Sequence, residues 1–200
     1  ERYSVASASE NDTVCTAPGS GGCAVHCGRR QCRCRSKVPQ RTDSIMETQE
    51  LYDAIHSLNA DDAFKPRLTL EQWRVIQTYM TRHDVRAGDL LVKQADHDRT
   101  MYLLERGTLQ VFVSQAKPGV SRLSILRAGS VVGEAGLFSD QPRMANVEAM
   151  TACVVWALRG PRLEELILRN PPLALELVRA AAAVMGVRMR ANVERGSAVS

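Results

Sequence analysis

Residues 132–147 read VGEAGLFSDQPRMANV, and the order of residue types in this stretch decides how the remainder is read. Gly133-Glu134 ends a β-rich run and opens a short apolar turn, Ala135 to Phe138. The first N–H groups of such a turn have no intrahelical acceptor, so they are free to meet an anion, and small residues let the backbone come close to it. Arg143 follows nine residues after Glu134, beyond a Ser139-Asp140-Gln141-Pro142 loop that reverses the chain and returns the guanidinium towards the same turn. Pro142 stiffens that return. A fork of donors beside exposed amides suits a phosphate, and a carboxylate next to them suits a hydroxyl. The plain alternative is that Glu134 and Arg143 form a mutual surface ion pair, contributing ~0–1 kcal/mol when exposed.

On either side of this stretch lie short β-rich runs punctuated by glycine, beginning near Val85: Asp89 to Lys93, Met101 to Glu105, Leu109 to Ser114, Arg122 to Leu126, Ser130 to Val132, Met144 to Ala149 and Cys153 to Leu158. Strands of that length and spacing predict a sandwich or jelly roll. Arg106-Gly107 is a hairpin signal, and Lys117-Pro118-Gly119 makes a longer loop between the next pair. Before the roll, Leu51, Ile55 and Leu58, then Leu70, Trp73, Ile76, Gln77 and Met80, recur at helical spacing and predict two helices. After Pro161, Leu163, Leu166 and Ile167 define a short helix ended by Asn170-Pro171-Pro172, and a long helix follows with a stripe of Leu173, Leu177, Ala181, Val184, Met185 and Arg188.

With these residues in place, the 132–147 segment resembles the phosphate-binding cassette of cyclic-nucleotide-binding domains, which runs Gly-Glu, a small-residue turn, a short loop, Pro-Arg and a strand with Ala. Gly133, Glu134, Pro142, Arg143, Ala145 and Val147 match it. Ala87-Gly88-Asp89, the Met101 to Leu104 run before Gly107, and Arg127-Ala128-Gly129 resemble the family's first strands and its turn before the cassette. The resemblance covers roughly residues 46–193. It implies a mainly β fold with flanking helices: an eight-stranded β-roll over about 85–159, N-terminal helices, a B helix near 161–170 and a C helix from about 172. It implies a regulatory sensor and not an enzyme, with Glu134 on a ribose hydroxyl, Arg143 on the phosphate, and the N–H groups of Ala135, Gly136 and Leu137 completing the cradle. Met144 stands where guanine-selective members often carry a hydroxyl, so cyclic AMP is the better-matched ligand than cyclic GMP; Asn146 is a further candidate polar contact. The alternative is a degenerate domain that keeps the fold as a structural or dimerisation module and binds nothing.

The first 45 residues differ in kind. They are rich in Ser, Gly, Cys and Arg, hold seven basic and four acidic side chains, and so supply +3 of the net +4. With few large aliphatic residues, they are expected to be disordered, and Met46 is a candidate natural start. Five of the six cysteines, Cys15, Cys23, Cys27, Cys32 and Cys34, lie there. Together with His26 they invite a zinc reading, but the spacings do not form two paired knuckles, so no metal is expected. Arg29, Arg30, Arg33 and Arg35 read as a solvated basic tail before they read as a nucleic-acid contact. Cys153, Trp73 and Trp156 read as core. A cupin-like metalloenzyme would need clustered histidines, and His56, His83 and His97 lack paired spacing. No signal peptide or apolar span is evident, so a cytoplasmic protein is expected. Within these residues no DNA-reading module follows the long helix, whose Ala180 to Ala183 run favours close helix packing, either on the roll or in a homodimer. The downstream protein partner is not legible.

Overall fold

The computed structural model describes residues 41–114 and 120–197. The tail cysteines, the arginine cluster and the Lys117-Pro118-Gly119 loop therefore lie outside the described residues. Helix α1 (Arg41–Ser57) begins a few residues before the expected boundary at Met46, and α2 (Leu70–Gln77) follows. A capping box starts α2: the Gln72 amide donates to Thr69 Oγ1 at 3.3 Å, and the Thr69 amide donates to Gln72 Oε1 at 2.8 Å. Eight strands come next, β1 (Thr81–Val85), β2 (Leu90–Val92), β3 (Thr100–Arg106), β4 (Thr108–Ser114), β5 (Val120–Arg127), β6 (Val131–Val132), β7 (Asn146–Ala149) and β8 (Cys153–Arg159). A short helix, α3 (Glu134–Phe138), interrupts them after β6, while α4 (Gly160–Arg169) and α5 (Pro171–Ser197) close the chain.

The strands form two four-stranded sheets, ordered β1-β8-β3-β6 and β2-β7-β4-β5, and every pairing is antiparallel. Two differences from the sequence reading have simple causes. The roll starts at Thr81, because β1 reads Thr-Arg-His-Asp-Val and shows almost no apolar alternation, yet it pairs along its length with β8. β7 starts at Asn146, because Met144 and Ala145 sit in the bend that delivers Arg143.

Each side of the first sheet has its own core. Met101, Leu103, Trp156 and Leu158 face the helices and pack with Leu51, Ile55, Trp73, Ile76, Leu163, Leu177 and Ala181. Leu104, Cys153 and Val155 face the roll interior and pack with Leu109, Leu126, Val132 and Val147. This two-sided burial explains why β8 is an unbroken apolar run rather than an alternating one. Burying a single Leu or Ile side chain contributes ~1.5–3 kcal/mol, so the helical core is what holds α1, α2, α4 and the first half of α5 against the roll. Ala180 and Ala181 turn into that core, whereas Ala182 and Ala183 are exposed.

Candidate functional site

Gly133 caps α3 with φ +80°, and a Cβ there would lie 2.7 Å from the Thr100 carbonyl and 2.9 Å from Arg143 Nη1. Glycine is required on both counts. Gly136, one turn on, has no positive φ; a Cβ there would lie 2.8 Å from the Arg143 guanidinium carbon. The two glycines thus let the arginine pass directly beneath the helical turn.

Arg143 is pinned at both ends. Its amide donates to the Asp96 carbonyl at 2.9 Å, and its carbonyl accepts from the Ala95 amide at 2.8 Å, so the β2–β3 loop holds its backbone. Nη1 donates to the Gly133 carbonyl at 2.8 Å, while Nη2 donates to Asp98 Oδ2 at 2.7 Å and to the Thr100 carbonyl at 2.5 Å. The side chain is 4% exposed. A guanidinium has five N–H donors, and these bonds use three. Nε is buried with no hydrogen-bond partner, an expensive state for a charged donor and one that an anion would relieve. Burial pushes the Asp98 carboxyl upward, but hydrogen bonds from Thr100 and Arg143 and the guanidinium's charge outweigh it and hold that carboxyl below its usual range.

Glu134 is 6% exposed and does not pair with Arg143, so the mutual surface ion pair is ruled out. Its partner is Arg188 of α5, whose Nη1 lies 2.9 Å from Glu134 Oε1. Arg188 also donates from Nε to Asp62 Oδ2 at 2.7 Å and from Nη2 to the Val131 carbonyl at 3.0 Å.

These groups border a cavity of about 970 Å³ between the roll interior and α5. Gly133, Glu134, Ala135, Gly136, Pro142, Arg143, Met144 and Ala145 all line it. Leu137 does not: its side chain is 1% exposed in the helical core and its amide already donates to the Gly133 carbonyl at 3.3 Å. Asn146 is also spent elsewhere, accepting from the Gln94 amide at 2.9 Å and donating to Ser114 Oγ at 3.0 Å. Much of the remaining wall is apolar, with Val92, Val111, Leu126 and Val147 from the roll and Met185 and Met189 from α5, and Asp61, Asp62 and Arg188 add charge at the α5 side. A largely apolar chamber with the Arg143 guanidinium beneath the α3 turn, and the Glu134 carboxylate held by Arg188 at its edge, fits a small anion carrying a flat apolar group and a hydroxyl.

Sequence reasoning did not find Asp98, Thr100, Asp62 or Arg188. Asp98 lies in a polar loop without a pattern, and Asp62 in a two-acid turn. Arg188 did leave a signal, as a charge at the end of an otherwise apolar helical stripe. His56, His83 and His97 fall on α1, β1 and the β2–β3 loop.

Residues 82–170 match the sequence model of the cyclic nucleotide-binding domain. The cAMP-activated global transcriptional regulator CRP of Escherichia coli O6:H1 is 30% identical over 114 residues, which are 56% of this chain and 52% of that protein. The cAMP-dependent protein kinase regulatory subunit of Dictyostelium discoideum is 25% identical over 125 residues, 62% of this chain and 38% of that one. The chain thus spans about half the length, or less, of these curated relatives. Among solved structures, a cyclic nucleotide-binding domain from Methylobacillus flagellatus KT matches with a TM-score of 0.68 at 18% identity, covering 78% of this chain and 86% of that one. At that identity the likeness speaks to the fold alone.

Proposed function

We propose that the chain, whose residues 82–170 match the sequence model of the cyclic nucleotide-binding domain, is a member of that family and a regulatory sensor that binds a cyclic nucleoside monophosphate, cyclic AMP in preference to cyclic GMP. The observation that carries this reading is Arg143, buried beneath the α3 turn with its Nε donor unpartnered and its side chain on the cavity wall. In the proposed complex the phosphate sits against Arg143 and the amides of Ala135 and Gly136, Glu134 accepts from the ribose 2′-hydroxyl, and the base lies against the apolar wall. Met144 offers no hydroxyl to a guanine, and the relatives named above are described as cAMP-activated and cAMP-dependent. A ligand-free scaffold is not favoured, because Glu134 and Arg143 both border an open cavity.

The chemistry proposed is binding without a covalent step. Ligand that prefers α5 closed over the cavity shifts the chain towards that arrangement, which is the regulatory output. We also propose a homodimer through α5, on which the exposed Leu175, Ala182, Met189 and Val193 recur at spacings of seven and four and so share one side of the helix. Among the described residues no helix is long and apolar enough to cross a membrane.

A thermal-shift panel of cyclic AMP, cyclic GMP and cyclic dinucleotides tests the assignment. At about a hundredfold excess over Kd, a ligand selective for the native state raises the melting temperature by roughly 5 °C or more. The largest shift is expected with cyclic AMP. No shift with either mononucleotide would refute the assignment.

A further inference from the structure

Arg188 joins three segments that are far apart in sequence. Its guanidinium donates to Asp62 in the α1–α2 loop, to Glu134 at the start of α3 and to the Val131 carbonyl on β6, at 2.7, 2.9 and 3.0 Å. A planar fork that satisfies three acceptors at once fixes orientation more strictly than a lysine ammonium would. The side chains of Arg188, Asp62 and Glu134 are 25%, 32% and 8% exposed, so the pairs are partly withdrawn from water and less screened than surface pairs.

Two facts decide what this arrangement does. The cavity of about 970 Å³ persists with all three bonds in place, so the arginine closes α5 over the hollow without filling it. Arg188 also engages Oε1 of Glu134, and a carboxylate accepts at both oxygens, so the same group can serve the arginine and a ligand hydroxyl together. The contact is therefore compatible with an occupied cavity and does not compete with it.

Resting on the nucleotide-binding reading, we infer that Arg188 is a positioning residue: it fixes the Glu134 carboxylate for the ribose hydroxyl and, through Asp62, ties the α1–α2 loop to the closed position of α5. Linkage then runs both ways. A ligand that holds Glu134 in place strengthens the hold of Arg188 on Asp62, and the loop ahead of the roll becomes part of the response.

Calorimetric titration of wild type and Arg188→Gln with cyclic AMP and its 2′-deoxy analogue tests this. Wild type is expected to prefer the ribonucleotide. Arg188→Gln is expected to bind cyclic AMP about tenfold more weakly and to lose most of that preference. Hydrogen exchange supplies the second readout: cyclic AMP slows exchange across residues 58–69 in wild type and not in Arg188→Gln or Asp62→Asn. If Arg188→Gln fails to fold, Arg188→Lys, which keeps the charge without the fork, carries the same comparison. An unchanged preference for the ribonucleotide, or an equal weakening towards both ligands, overturns the inference while leaving the proposed function intact. Absence of binding to wild type overturns both.

Discussion

Glycine at 136 and arginine at 143 are one decision made at two places in the chain. The guanidinium occupies the space where a Cβ on residue 136 would stand, which is how a long cation is stored beneath a helix terminus instead of reaching to it from solvent. Glu105 shows the opposite use of burial. Its carboxylate is 5% exposed in the sheet, accepts the Trp156 indole N–H at 2.6 Å and lies 3.7 Å from Arg82. Burial pushes its carboxyl upward, Trp156 and Arg82 oppose that, and Glu50 of α1 adds to it, with a net raised value. A carboxyl raised in the fold binds more protons folded than unfolded, so its contribution to stability is greatest below the unfolded value of about 4.3 and declines as pH rises through the folded one. Glu105→Gln keeps an acceptor for Trp156 and removes the titration. Relative to wild type, the variant is expected to gain in melting temperature between pH 4.5 and pH 7. A constant difference across that interval would show that Glu105 binds protons equally in the folded and unfolded states.

Helix α5 presents two kinds of surface along its length. Leu177, Ala180, Ala181 and Val184 pack into the helical core, whereas Leu175 and Met189 are 70% and 65% exposed. Arg179 beside that side of the helix is already paired with Glu176, whereas an unpaired carboxylate between Leu175 and Met189 opposes close approach of a second copy. Ala182→Glu is therefore expected to weaken the proposed dimer at least tenfold, read by sedimentation over a concentration series; a wild-type chain that stays monomeric throughout would discard it. What the sequence disclosed about the elements follows from how local each signal is. The Leu163/Leu166 and Leu177/Ala181/Val184 rows announce α4 and α5 because one helix face is buried, and Cys153 to Leu158 announces β8 because both its faces are. β1 is silent because its place comes from pairing with β8, across more than sixty residues of chain. The same holds within the site. Gly133, Glu134 and Arg143 form a compact pattern that can be read directly, but Asp98, Asp62 and Arg188 acquire their roles only when loops and a distant helix converge on that pattern.

Taken whole, the molecule is a cavity held between a roll and a helix that borders it, and the proposed anion site lies on its wall. The roll supplies the apolar wall and fixes Arg143 from the β2–β3 loop; α5 brings Arg188 and two methionines over the opening. The direct measurement is calorimetric titration of cyclic AMP into wild type and Arg143→Leu, with both shown to be folded. Lost charge-assisted phosphate contacts amount to ~1.5–3 kcal/mol each, so the account predicts saturable binding by wild type and at least tenfold weaker binding by the variant. Equal affinity in the two proteins would contradict it, because the buried guanidinium would then not be what holds the phosphate.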